Sequence, residues 1–324
     1  MRLLLLLSSE NLKLAAAEAA SVAGLKNYGL AGRLMTGRFV SGFLAKSWRL
    51  ALTRRVFRLL FSCRPSGIAQ SMKKYPWQRV CGKSFAVRLR NHSARALKYS
   101  EKELAGFVWR RLRRPVVNLE NPDSLVEIFI TRNQAFCCLL LSEVHNDFEA
   151  RRPALRPGFS PSSMHPVLAR VMVNLSGGSK GSVCDPFCGT GGILIEAGLM
   201  GFGVVGYDIS GRELDKCKAN LDHYGVKGYR LFADSAFAVR RKYDYIVSDL
   251  PYGRNSQLKG GSYAGFLGLL PGILRKRAVL AFPQNVRLRQ LARRAGLKVE
   301  CEFLHYSHKS LSKRIVVLRR GTGH

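Results

Sequence analysis

The sequence is short of acid. Against 53 lysines and arginines stand only 21 aspartates and glutamates, a formal net charge of +32 over 324 residues. The excess is spread along the whole chain rather than gathered in a tail. A chain so unbalanced draws polyanions and binds phosphate backbones in a salt-dependent way, so nucleic acid is the expected partner ahead of an anionic membrane. Paired cysteines are missing too. Cys63, Cys81, Cys137, Cys138, Cys184, Cys188, Cys217 and Cys301 form no C-x-x-C pair, and several lie in apolar runs. That argues against a zinc site or a disulfide scaffold; no metal and a reducing, cytoplasmic compartment are expected. No run of eighteen uncharged apolar residues occurs, so no membrane-spanning helix is expected. The opening leucines, Leu3 to Leu7, give way to Glu10 and Lys13. They are read as a strand, with Ser8 or Ser9 capping a helix from Glu10 to about Val22, rather than as a signal peptide. What is plentiful is apolar material. At 47% hydrophobic, the chain can bury a sizeable core and fill two or three domains.

A missing glycine is more telling. Val183-Cys-Asp-Pro-Phe-Cys-Gly-Thr-Gly-Gly192 reads as a short strand, a glycine turn and the start of an apolar helix, the usual loop for a nucleotide-like ligand. Gly189 and Gly191 fit a Gly-x-Gly-x-x-Gly pattern, but the third position is Leu194. Asp185 also enters the loop, where a carboxylate would repel a pyrophosphate and suit an ammonium group. S-adenosylmethionine carries an ammonium and a sulfonium and no phosphate, so the loop of Asp185, Phe187, Gly189, Thr190, Gly191 and Gly192 reads as a methyl-donor site. Asp208, sixteen residues after Gly192, ends a second strand and suits ribose hydroxyls, with Ile209 beside it. Asp234 and Ser235 close a third strand, where Asp234 could accept the adenine amino group. Each acid could instead merely cap the helix that follows; three at successive strand ends favour a ligand.

Strands are predicted at 182–186, 203–208, 229–234, 243–249 and 277–282, with helices between, and a terminal antiparallel hairpin from Lys298 to Ser307 and Arg314 to Leu318. Such alternation implies an α/β, doubly wound, mostly parallel sheet whose site lies beyond the strand C-terminal ends. The fourth strand runs into Asp249-Leu250-Pro251-Tyr252. The lone pair of an amine on an aromatic ring is delocalised, so a site must accept its hydrogens and aim its nitrogen. The Asp249 carboxylate and the Leu250 carbonyl can accept, Pro251 fixes the turn, and Tyr252 offers a ring to an extruded base. Guanine, with N1–H beside its N2 amine, suits an acceptor-only carboxylate better than adenine does.

In the first half, Leu50 to Phe61 has apolar residues at helical spacing, 24–46 is weakly patterned and 63–80 reads as loop. A strand at Phe85 to Arg90, a helix at Glu101 to Leu112 and further strands at 116–119, 126–130 and 135–142 form an α+β unit. Its arginines, Arg88, Arg110, Arg111, Arg113 and Arg114, suggest RNA binding, as do Arg151 and Arg152 in a proline-rich linker. His165 opens a helix with Pro166 in its first turn; a histidine there is more often structural, and it is kept as a weak cofactor candidate.

The order Phe85-Ala-Val-Arg, then the helix, then Val117-Asn-Leu-Glu-Asn-Pro-Asp123 resembles a THUMP domain, and Met1 to Ala23 resembles the ferredoxin-like domain that precedes it in tRNA methyltransferases. Arg151 to Gly201, with Ser-Met-His-Pro and Asp-Pro-Phe-Cys-Gly-Thr-Gly-Gly, is similar to the THUMP-type tRNA guanine-10 N2-methyltransferases. The resemblance implies a ferredoxin-like domain at 1–76, a THUMP domain at 77–148, a linker at 149–162 and a Rossmann-like methyltransferase domain at 163–321. It further implies that His165 lies over the methionine end of the cofactor, and that Asp249 to Tyr252 receive the guanine. The family's commoner form has Pro where this chain has Leu250. Expected partners are tRNA and S-adenosylmethionine, with the chain acting as a monomer or with a small activator subunit. Rival readings are methylation of another guanine or an adenine in tRNA or rRNA, or a non-catalytic RNA-binding factor with a relic pocket. One or two methyl transfers are equally compatible with the residues.

Overall fold

A computed structural model describes residues 1–93, 98–251, 261–308 and 311–321. They group into two compact units, one of Met1–Leu12, Leu25–Ser47 and Thr53–His145, the other of Lys13–Gly24, Trp48–Leu52 and Asn146–His324.

The chain opens with β1 (Arg2–Leu7), whose Leu3, Leu4, Leu5 and Leu7 are all buried. A run without alternation suits a strand enclosed on both faces. Helix α1 (Leu12–Ala23) follows, and from Lys13 onward it groups with the second unit. Then come β2 (Gly29–Ala31), β3 (Leu34–Arg38), β4 (Thr53–Cys63), α2 (Ile68–Lys74), β5 (Ser84–Asn91), α3 (Glu101–Trp109), β6 (Val116–Val117), β7 (Ser124–Ile130) and β8 (Ala135–Glu143). The eight strands form one sheet, ordered β2-β3-β1-β4-β8-β7-β5-β6. One sheet therefore carries strands from both modules expected at 1–76 and 77–148. Helix α3 starts from a full capping box of Ser100 and Glu103. Its Leu104 and Val108 pack in one core with Trp77, Met72, Val87 and Ile128.

Two local expectations give way. Residues 53–63 form a strand rather than a helix, and Leu60, an extra residue between the Leu59 and Phe61 pairings with β8, breaks its two-residue period. The stretch expected as loop contains α2, tied down by the Trp77 indole N–H donating to the Met72 carbonyl at 2.8 Å.

The second unit continues with α4 (Pro166–Leu175), β9 (Ser182–Asp185), α5 (Gly192–Leu199), β10 (Gly203–Asp208), α6 (Gly211–His223), β11 (Arg230–Ala233), β12 (Tyr243–Asp249), α7 (Tyr263–Ile273), β13 (Leu274–Pro283), α8 (Leu288–Arg294), β14 (Leu297–His308) and β15 (Leu311–Arg320). The sheet runs β11-β10-β9-β12-β13-β15-β14, parallel as far as β13, with the last two strands antiparallel as expected. In β13, Ala278, Leu280 and Phe282 join the core with Phe266 of α7 and Leu288 of α8, while the intervening Val279 and Ala281 are equally buried. The chain order reverses between β9 and β12, and a crevice at such a switch point is where open α/β sheets bind ligands.

Two buried carboxylates frame this unit. Glu18 of α1 accepts the Ala51 and Leu52 N–H groups at 2.8 Å each and the Asn174 amide at 2.7 Å. Burial raises its pKa, and these three hydrogen bonds oppose the rise. Glu196 of α5 is wholly buried between Arg151 at 2.8 Å and Arg170 of α4 at 2.7 Å, the latter only 3% exposed. Removing one member of such a set strands a buried charge. Glu196→Ala is therefore expected to cost about 3–5 kcal/mol, read as a fall in the urea midpoint of this unit; a variant unfolding with the parent would show that Glu196 is not needed to hold α4 to α5.

Candidate active site

Asp185 ends β9, Asp208 ends β10 and Asp249 ends β12. Pairing sets Gly206 beside Asp185 and Ile246 beside Cys184, so the three ends are adjacent. Asp185 is 2% exposed. Its Oδ1 accepts the Ser248 hydroxyl at 2.5 Å and the Phe187 N–H at 3.1 Å. Burial pushes its carboxyl up to about 7; Ser248 and Phe187 oppose the rise, while the Asp249 and Asp208 charges add to it. Among the described residues Asp185 has no cationic partner, which suits it to a cationic ligand.

The glycines divide the work. Gly191 has φ of +83°, and a Cβ there would stand 2.6 Å from the Cys217 sulfur, so it is glycine for packing. Gly189 has φ of +49° with no atom of the described residues within 4 Å of a would-be Cβ, so that side of the loop is open. Thr190 is buried, its hydroxyl 2.6 Å from that of Ser163, and its carbonyl accepts the Asn220 amide at 2.9 Å. The same Asn220 bonds both the N–H and the carbonyl of Gly158, stapling the linker to the glycine loop.

Asp208 accepts the Gly189 N–H at 2.9 Å and the Ser210 N–H at 2.8 Å, one on each oxygen. A carboxylate has about four acceptor positions, so room for ribose hydroxyls remains. Ile209 next to it is 54% exposed and Phe232 of β11 is 37% exposed, apolar surface suited to a purine. Asp234 is exposed and accepts the Ser235 N–H at 2.7 Å, while Ser235 caps the following turn. His165 is exposed and caps α4 by accepting the Val167 N–H at 3.4 Å, a structural task.

The Asp249 turn is pinned at several points. The Leu250 N–H donates to the Ala281 carbonyl at 3.0 Å, and the Tyr263 hydroxyl donates to the Pro251 carbonyl at 2.6 Å. Asp249 Oδ2 accepts Lys313 Nζ at 2.6 Å. Its Oδ1 is buried and has no hydrogen-bond partner among the described residues. Tyr252 lies outside the described residues. Ser248, Lys313, Tyr263 and Asn220 were not candidates from sequence. Only Ser248 and Tyr263 had any signal, standing next to the motif and a few residues after it.

Residues 153–312 match the RMKL-like methyltransferase domain and residues 67–140 the THUMP domain. The tRNA (guanine(10)-N2)-dimethyltransferase of Methanothermobacter thermautotrophicus is 34% identical over 272 residues, covering 80% of each chain. That of Pyrococcus abyssi is 31% identical over 252 residues, 75% of this chain and 76% of its own. The chain belongs to the tRNA (guanine(10)-N2)-dimethyltransferase family. In fold it is similar to a possible methylase from Clostridium difficile, with a TM-score of 0.50 and 16% identity over 100% of this chain and 98% of the other.

The candidate arginines separate by environment. Arg110, Arg111, Arg113 and Arg114 are exposed just beyond α3, Arg111 also donating to the Lys73 carbonyl at 3.0 Å. Arg88 is half-buried and donates to the Leu119 carbonyl at 2.7 Å. Arg152 is exposed, whereas Arg151 is committed to Glu196.

Asp185 supplies a pH test. Its carboxyl titrates near 7 in the free protein, and only the ionised form attracts an ammonium. S-adenosylmethionine affinity is expected to fall about tenfold per pH unit below 7, and Asp185→Asn to bind weakly without that slope. The stability sign is opposite. A raised carboxyl pKa means stability present below the unfolded value is lost as the pH climbs to about 7, at up to about 1.4 kcal/mol per unit. Asp185→Asn is therefore expected to melt higher than the parent at pH 8. Calorimetric titration and thermal unfolding at pH 6 and 8 check both; parallel pH slopes in the two proteins would refute the assignment.

Proposed function

We propose that this chain transfers methyl groups from S-adenosylmethionine to the exocyclic N2 of guanine 10 in tRNA, twice in succession as its relatives' names state. The observation that carries the reading is Asp249 Oδ1, a buried acceptor with no partner among the described residues, one residue from the serine that bonds Asp185. The residues fit the donor. Asp185 offers a carboxylate to the ammonium, Gly189 an open backbone, Asp208 spare acceptors for ribose, and Ile209 and Phe232 apolar surface for adenine.

When bound, the donor supplies an electrophilic methyl group on a sulfonium. The chain's own residues do the rest. Asp249 Oδ1 accepts one N2 hydrogen and the Leu250 carbonyl the other, which turns the nitrogen lone pair out of conjugation with the ring. The Leu250 N–H and Pro251 carbonyl bonds fix the backbone on either side of that carbonyl. A turn clamped this way keeps its geometry with Leu250 in place of the commoner proline. After methylation the nitrogen must lose a proton, and the Asp249 carboxylate is placed to take it. A monomethylated amine still has one hydrogen for Oδ1, so the same site serves a second transfer. The exposed arginines beyond α3 would hold tRNA phosphates.

Asp249→Ala is expected to lower transfer to unmodified tRNA at least about 100-fold while S-adenosylmethionine still binds. Nucleoside mass spectrometry would score methylated guanine and calorimetry the donor. Full turnover in the variant, or a product methylated on adenine, would reject the reading.

A further inference from the structure

Lys313 comes from β15, 64 residues away in sequence from the turn it serves. β15 runs antiparallel to β13, with Lys313 in register with Pro283. The lysine side chain is 7% exposed and that of Asp249 17%, so this ion pair is not a surface bridge and water screens it little. Among the described residues, the groups facing the Asp249 carboxyl are Lys313 from β15, Tyr263 from α7 and Asp185 from β9. Only Lys313 among them is cationic.

A carboxylate that must accept an amine hydrogen has to be ionised and correctly turned. Burial works against the first requirement: it raises the Asp249 pKa, and the Lys313 ammonium pulls it back. Free rotation works against the second. We propose that Lys313 is the positioning residue of the methyl-transfer turn, its ammonium occupying Asp249 Oδ2 so that Oδ1 alone faces the substrate amine as an acceptor. This rests on the reading of Asp249 as the amine acceptor. A neutral acid would turn a donor toward the guanine edge, which presents donors, so Lys313 also supports the choice of base.

The lysine does not touch the reacting atoms, so its test needs readouts beyond rate. The first is the Asp249 carboxyl 13C resonance in the donor-free protein, assigned with Asp249→Asn and followed from pH 4 to 9. Lys313→Met is expected to move its midpoint up by about one unit or more. Methyl transfer to unmodified tRNA under single-turnover conditions should then fall at least about 100-fold at pH 6.5 and recover in part toward pH 9. S-adenosylmethionine affinity should stay within about threefold of the parent. Lys313→Arg keeps the charge in a different shape. Its midpoint should stay within about half a unit while the rate falls at least about fivefold, which tests the idea even if the methionine variant does not fold. An unmoved midpoint in folded Lys313→Met overturns the proposal. So does a full rate in either variant. A moved midpoint together with an active Asp249→Ala would instead overturn the amine-acceptor reading on which it rests.

Discussion

Two carboxyl groups end neighbouring strands where water barely reaches, and the site is built around how burial of each is compensated. Asp185 and Asp249 end neighbouring strands, and Ser248, the residue before Asp249, donates its hydroxyl to Asp185 Oδ1. Asp249 has a cation of its own, Lys313 at 2.6 Å. Among the described residues Asp185 has only a hydroxyl and an amide N–H, and its carboxyl rises to about 7. The Lys313 ammonium opposes the rise that burial imposes on Asp249, and Asp185 has no such cation among the described residues.

Holding that arrangement still is the task of groups that touch no ligand. Asn220 bonds Thr190 and Gly158, so the linker and the glycine loop cannot shift independently. Glu196 ties α5, which begins at the loop, to α4 and Arg151. Gly191 lets the loop sit against Cys217, and Gly189 leaves its other side open. A glycine motif read as one unit therefore has two physical purposes, packing and access.

The sheet of the second unit was legible because β9, β10 and β12 are largely buried runs, and each candidate acid falls at or just past a strand end, Asp234 following the mostly exposed β11. Asp185, Asp208, Asp234 and Asp249 needed no tertiary information. Lys313 did. A lysine in a chain with 53 basic residues has no local mark, and only the pairing of β15 on β13 carries it to Asp249. Asn220 and Glu18 were hidden likewise, as polar residues on helices whose usual fate is solvent. In β4 local pattern misled outright, since the inserted Leu60 interrupts the strand period. His165 had a motif around it and proves to cap a helix.

The charge excess also looks different once the residues have places. Arg49, Arg156 and Arg170 are buried. Burial lowers the pKa of all three guanidinium groups, Arg49 to about 10 with the neighbouring Arg170 adding to it. They bond internal groups: Arg49 the Gly178 carbonyl, Arg156 the Arg151 and Met164 carbonyls, Arg170 Glu196. Only cations that reach a phosphate release counterions and set the salt dependence of RNA binding. The net charge therefore overstates the footprint, and Arg151 shows why, being an arginine in a basic linker whose charge is consumed by a buried glutamate. The exposed group of Arg110, Arg111, Arg113 and Arg114 is free of such buried partners, so an RNA contact there needs no internal ion pair to break.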